Sequence, residues 1–180
     1  STVSIQRSGG MDEVLTASEY ADKFVQVQPD YQTDWSNATA QEQMENWLTT
    51  ASDEDIANLR LIVTHDDEPV DGIVTALTNY NEQNPGKLQM RLITGFGARR
   101  ATLDTFDNPF ANGIDLVTYF FSPSMVRDAI RIGVAAATGG DYNGQPISGL
   151  ILIPTIEVDK NTVADFRASQ EYADRYSLNG

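Results

Sequence analysis

The sequence predicts an α/β fold, a three-layer arrangement around a mainly parallel sheet, and three observations carry that expectation. Short β-branched runs alternate with amphipathic helical stretches along the 180 residues, the order that builds parallel sheets with helices on their faces. Leu59–Thr64 is an almost continuously apolar run, as suits a strand covered on both sides. After a helical pattern and the Asn84-Pro85-Gly86 turn, Leu88–Thr94 repeats the strand signal and closes a β-α-β crossover.

Taken in order, Thr2–Gln6 reads as a first strand. Beyond the Gly9-Gly10 turn, Val14, Ala17, Ala21 and Phe24 recur at helical spacing. Tyr31–Trp35 reads as a short strand. Thr39 with Glu42 then reads as a capping box ahead of a helix whose Met44, Trp47, Leu48 and Ala51 share one face. Pro69 suits the first turn of the next helix, which carries Val70, Ile73, Val74 and Leu77 on its buried stripe. Asp115–Phe121 is a further strand, and Ser122-Pro123 opens a helix through Ala137 that stops at Gly139-Gly140. Leu150–Ile153 reads as a strand and Asp159–Arg167 as the start of a helix. Residues 168–180 form a frayed polar tail in this reading.

Composition narrows the function classes. A formal charge of −14 repels phosphate backbones, which argues against sequence-independent nucleic-acid binding. With no cysteine, neither a disulfide framework nor a thiolate metal site can form. The apolar runs are too short to span a bilayer, and the first residues show no signal-peptide pattern.

Several segments carry candidate chemistry. His65-Asp66-Asp67-Glu68 follows a predicted parallel strand, at the edge where open α/β sheets place ligands. Asp67 and Glu68 suit the N-terminus of the following helix, which leaves Asp66 as the ligand contact. Three adjacent carboxylates could instead hold magnesium, but consecutive residues rarely point at one centre. His65 is the only histidine and no G-x-S-x-G elbow exists, which argues against a hydrolase triad. Gly95-Phe96-Gly97 begins like a dinucleotide fingerprint, but Arg100 stands where the third glycine belongs, so a tight strand-to-helix turn is the better reading. Trp35 lies in the polar stretch Asp34-Trp35-Ser36-Asn37, either as a core anchor or as a ring that stacks on a sugar face. Asn37-Ala38-Thr39 matches a glycosylation triplet but reads better as capping.

The ordered set of these pieces resembles the type I periplasmic sugar-binding proteins, which deliver sugars to ABC transporters and share their fold with the effector domains of the lactose-repressor family. The matching segments include Asp34-Trp35 ahead of Met44-Glu45-Asn46-Trp47-Leu48, and Leu61–Glu68 with Gly72. Further on they include Ile93–Gly97, Ser122-Pro123 with its long helix, and Ile153-Pro154-Thr155 with Val158–Val163. The resemblance implies one lobe of a two-lobed fold, residues 1–167, with the first lobe and the helix that usually opens the second lying outside the chain. It implies a binding role with no chemistry and no cofactor, and Trp35, Ser36 and Asp66 as sugar contacts. Gly97 and Phe121 stand at two further contact positions, where the family commonly has an aspartate and often a glutamine. The implied partners are a small sugar or polyol and a transporter permease, in a periplasmic or extracellular membrane-associated protein. A sensing domain of a transcription regulator or two-component system on the same fold is the alternative. The broad apolar surface of helix 122–137 is expected to pack on the other lobe, or to mediate self-association of the chain alone.

Overall fold

The structure, a computed structural model, describes residues 2–17, 19–28, 30–110, 113–121, 125–142, 144–147, 149, 151 and 154–177. It is a mixed α/β fold whose main sheet has the strand order β1 (Leu61–Val63), β2 (Leu92–Phe96), β3 (Asp115–Phe120) and β6 (Ile156–Val158). β1 and β2 run parallel, with Ile62 opposite Ile93. Between β2 and β3 the bonded residue numbers rise together, Asp115 N–H to the Arg91 carbonyl and Gly97 N–H to the Tyr119 carbonyl, as parallel strands require. β6 adds antiparallel, with Tyr119 opposite Glu157. A separate hairpin pairs β4 (Asp141–Tyr142) with β5 (Gln145–Pro146).

The chain forms two compact units, Ser1–Gly95 with Pro109–Leu116, and Phe96–Asn108 with Val117–Gly180. In the first unit, α2 (Asn37–Thr50), the short α3 (Asp53–Asn58) and α4 (Glu68–Gln83) supply most of the core. Ala40, Met44, Trp47 and Leu48 of α2 are buried, and α2 packs on α4, which buries Val70, Ile73, Val74, Ala76 and Leu77. Both stripes follow the helical spacing of the sequence. Gly72 lets the two backbones meet. A Cβ there would lie 2.1 Å from the Asn37 carbonyl oxygen, so no other residue fits without a shift of one helix.

In the second unit, Phe120 of β3, Val158 of β6 and Leu103 of α5 (Arg100–Asp104) close a core with Ala98 and with Val163 and Phe166 of α7 (Val163–Arg167). The Phe120 and Phe166 rings lie 4.9 Å apart. β3 alternates strictly, Leu116, Thr118 and Phe120 inward, as a half-covered strand should. Arg167 forms a fork onto Asp107, with bonds of 3.0 and 2.7 Å, and also donates to the Leu103 carbonyl at 2.8 Å. That fork ties α7 to the segment after α5. The helix α6 (Met125–Thr138) ends as its sequence predicts, with Gly139 at φ 71° and the Gly140 N–H returning to the Ala135 carbonyl.

Several expectations are corrected. Thr2–Gln6 is not a strand: it belongs to α1 (Thr2–Thr16), which runs through Gly9-Gly10. A strand needs a neighbour to satisfy its backbone, and the main sheet offers this segment none, so i to i−4 bonds prevail over β-branched preference. Tyr31–Trp35 is also not a strand, because Asp34 and Trp35 sit at φ 50° and 56° and turn the chain into α2. The cap of α2 is Ser36, whose hydroxyl accepts from the Thr39 N–H at 3.2 Å, in place of a Thr39–Glu42 box. The second strand begins at Leu92, not Leu88. Where polar composition predicts fraying, Gln170–Ser177 form α8, and Tyr172 packs edge-on against Phe166. The expected strand Leu150–Ile153 falls mostly outside the described residues, as does the Ser122-Pro123 opening of α6.

Candidate functional site

The first unit supplies three of the five predicted contact residues. Trp35 is 65% exposed and stands in the left-handed turn immediately before α2, while the chain's other tryptophan, Trp47, is buried in the core. Two consecutive non-glycine residues at positive φ are a strained arrangement, of the kind concentrated at binding sites. The fold holds Trp35 there because Ser36 caps α2 and the Asn37 carbonyl is seated on Gly72. The start of α2 is therefore held beside the first turns of α4, whose N-cap residue is Asp67.

Asp66 lies in the loop between β1 and α4. Its Oδ1 accepts from the Asp67 N–H at 2.8 Å, and its carbonyl oxygen is 2.6 Å from Thr64 Oγ1. The same Thr64 hydroxyl lies 2.5 Å from the Thr94 carbonyl, and the Thr64 N–H donates to Thr94 Oγ1 at 3.2 Å. The loop is thereby fastened to Thr94, in the middle of the neighbouring strand β2. Asp66 is half-buried and Asp67 fully buried, and the Asp67 side chain makes no cap bond to its own helix. Asp67 and Glu68 thus stand at the N-terminus of α4 as expected, with Asp67 capping by position and not through its side chain.

His65 is surrounded by residues of α1. Ser4 Oγ is 3.5 Å from its Nδ1, Ser8 Oγ is 3.5 Å from its Nε2, and Arg7 donates to its carbonyl oxygen. Ser8 in turn donates to Asp30 Oδ2 at 2.8 Å. Burial lowers the His65 pKa below the ordinary value, against the opposing pull of Asp30, and the nearby Arg7 charge lowers it further. The ring is thus neutral at physiological pH. Next to this network, Ser8, Asp12, Gln26, Val27 and Asp30, none of them fully buried, line a shallow depression that is open to solvent. Sequence reasoning missed this group because it placed a strand where α1 lies. The serine spacing, Ser4 and Ser8 at i, i+4, was the available signal.

The other two predicted contacts lie in the second unit. Gly97 is buried at φ 122°, and its N–H donates to the Tyr119 carbonyl at 2.9 Å. Ala98 follows at φ 47°, so the segment is a tight strand-to-helix turn into α5, as the missing third glycine implies. Phe121 is half-buried directly after β3. On the same strand, Tyr119 pairs with Phe96 at 5.2 Å and donates to Glu157 at 3.1 Å.

Residues 1–141 match the periplasmic binding protein domain, which is most of the chain. The chain belongs to that family. Among solved structures, a galactofuranose binding protein superposes with a TM-score of 0.65 at 13% identity, covering 98% of this chain and 52% of the other. The periplasmic binding protein component of the arabinose ABC transporter from Shewanella sp. ANA-3, bound to L-arabinofuranose, gives 0.65 at 18% identity, covering 94% and 51%. An ABC transporter solute binding protein from Agrobacterium vitis with bound allitol gives 0.62 at 17% identity, covering 88% and 50%. At these identities the likeness is one of fold, and the chain spans about half the length of each structure. No curated protein matches the sequence. No helix among the described residues of this periplasmic binding protein domain is long and apolar enough to cross a membrane.

Proposed function

We propose that this periplasmic binding protein domain contributes one wall of a binding site for a small sugar or polyol, as part of the solute-binding component of an ABC transporter outside the cytoplasmic membrane. The observation that carries the reading is Trp35, a large ring exposed in a strained turn that the α2–α4 contact holds in place. Such a ring offers a flat face to the C–H groups of a sugar, while Asp66 and Ser36 supply acceptors for its hydroxyls. Gly97 and Phe121, in the second unit, are proposed as contacts only on the family resemblance. The solved relatives bound to L-arabinofuranose and allitol support a neutral polyhydroxylated ligand. Capture and release need no covalent step, so the proposal assigns no catalytic residue.

Fluorescence can test this directly, because one tryptophan is exposed and the other buried. Titration with pentoses and hexoses at millimolar concentration is expected to shift the Trp35 emission, with no shift in Trp35→Phe. Asp66→Ala is expected to weaken binding by about 1–3 kcal/mol, because sugar hydroxyls lose a charged acceptor. An unchanged affinity in that variant removes Asp66 from the site.

The reading also gives α6 a role. Its stripe of Val126, Ile130 and Val134 is 64, 63 and 58% exposed. In the proposed two-lobed protein this stripe packs on the other lobe, and in the 180-residue chain alone it pairs with a second copy. Sedimentation at micromolar concentration tests the pairing. A monomer that Ile130→Asp leaves unaltered rules it out.

A further inference from the structure

We propose that Thr64 is a positioning residue of the sugar site, one that sets affinity through Asp66 while its own hydroxyl stays out of contact with the ligand. This rests on the sugar-binding reading and assigns to that site a residue outside its contact set.

Thr64 directly follows β1 and is only 6% exposed, so its hydroxyl must find its partners inside the protein. It has two. Its oxygen lies 2.6 Å from the Asp66 carbonyl oxygen and 2.5 Å from the Thr94 carbonyl oxygen. One bond closes the loop on itself and the other ties it to β2, and a single hydroxyl hydrogen alternates between them. Valine has the same shape, but at this position it would set a methyl group against both carbonyl oxygens.

The Asp66 side chain is fixed separately. Its Oδ1 accepts from the Asp67 N–H at 2.8 Å, and among the described residues no hydrogen bond reaches Oδ2. Asp66 thus has one carboxylate oxygen committed to its own loop and one left to accept from a ligand. The place of that second oxygen depends on two restraints, the Thr64 hydroxyl on the backbone and the Asp67 amide on the side chain. Hydrogen bonds weaken steeply when distance or angle is lost, so a loop free to shift loses affinity with Asp66 still present.

The test compares Thr64→Val, which keeps the shape and loses the hydroxyl, with Thr64→Ser, which keeps the hydroxyl and loses the methyl. In the ¹⁵N-labelled 180-residue chain, hydrogen exchange at the Asp67 amide is expected to quicken about fivefold in Thr64→Val and to stay within about twofold in Thr64→Ser. With L-arabinose and D-glucose as probes, followed by Trp35 emission, Thr64→Val is expected to bind about fivefold more weakly and Thr64→Ser like the unsubstituted chain. Thr64→Ala repeats the comparison if Thr64→Val does not fold. In the Asp66→Ala background Thr64→Val is expected to cause no further loss, because a residue that acts through Asp66 has nothing left to act on. An equal loss in both backgrounds overturns the proposal, as does a loss in Thr64→Ser as large as that in Thr64→Val, since either result makes Thr64 a packing residue only. If Thr64→Val binds sugar as the unsubstituted chain does, the positioning role falls and the sugar-binding reading stands. If no sugar shifts the emission of the unsubstituted chain, both fall.

Discussion

The helices α4 and α6 are near equals in sequence and opposites in the structure. Each has an apolar stripe at helical spacing, Val70, Ile73, Val74 and Leu77 in one, and Val126, Ile130 and Val134 in the other. α4 buries its stripe completely enough that Leu77 has no exposed surface, whereas α6 buries no described residue. The difference does not lie in amphipathicity. It lies in whether another element meets the stripe: α4 has α2, brought to backbone contact through Gly72. An apolar stripe states that a partner is required, and only packing states which one.

Substitutions along the two stripes can break or sharpen that contrast. Leu77→Ala is expected to cost about 3 kcal/mol in urea unfolding, because its surroundings leave no room to collapse. Ile130→Ala should cost under about 0.5 kcal/mol in the same experiment, since that side chain already meets water. Equal losses at the two positions would mean that α6 is covered in solution.

Gly72→Ala isolates the contact that gives α4 its partner. The added methyl would overlap the Asn37 carbonyl, and backbone cannot rotate aside as a side chain can. A loss of about 2 kcal/mol is expected, with a blue-shifted Trp35 emission if the start of α2 is displaced.

The smallest expected effect concerns acid. Hydrogen bonding from Arg167 holds the Asp107 carboxyl below its ordinary pKa, against the opposing effect of desolvation and with the Arg167 charge adding to the depression. For Asp159 desolvation is the largest single influence and acts to raise the pKa, but the hydrogen bonds from Asn161 and Thr162 together outweigh it and lower the value. Because both pKa values are depressed by folding, the stability they contribute is present above the carboxylates' unfolded pKa and is lost as pH falls through the folded values. Melting temperature followed downward from neutral pH should fall less steeply in Asp107→Asn than in the unsubstituted chain. Identical acid profiles would show that the Arg167 fork adds nothing in solution.

The parts of the protein that could be read in the sequence are those whose signal is local. α4, with Pro69 in its first turn and its stripe at period 3.6, lies where periodicity predicts it, and so does the Gly139 stop of α6. β1 follows from the apolar run before His65, and the turn after Gly95 follows from the missing third glycine. Trp35 was visible as an anomaly, a large ring in a polar stretch, but its exposure could not be known before the turn around it was seen.

Amino-acid order by itself determined the α/β class, the acidic and cysteine-free composition, and the position of Asp66 after an apolar strand, because each depends on neighbours within a few residues or on composition alone. Tertiary structure decided the rest. Thr2–Gln6 became helix because strand formation depends on a distant partner that the main sheet does not provide. The contacts of Ser4 and Ser8 with His65 exist only after α1 and the loop following β1 are brought together across some sixty residues of chain. Such an arrangement is a property of contacts at long sequence separation, and no local pattern of side chains encodes which of them will meet.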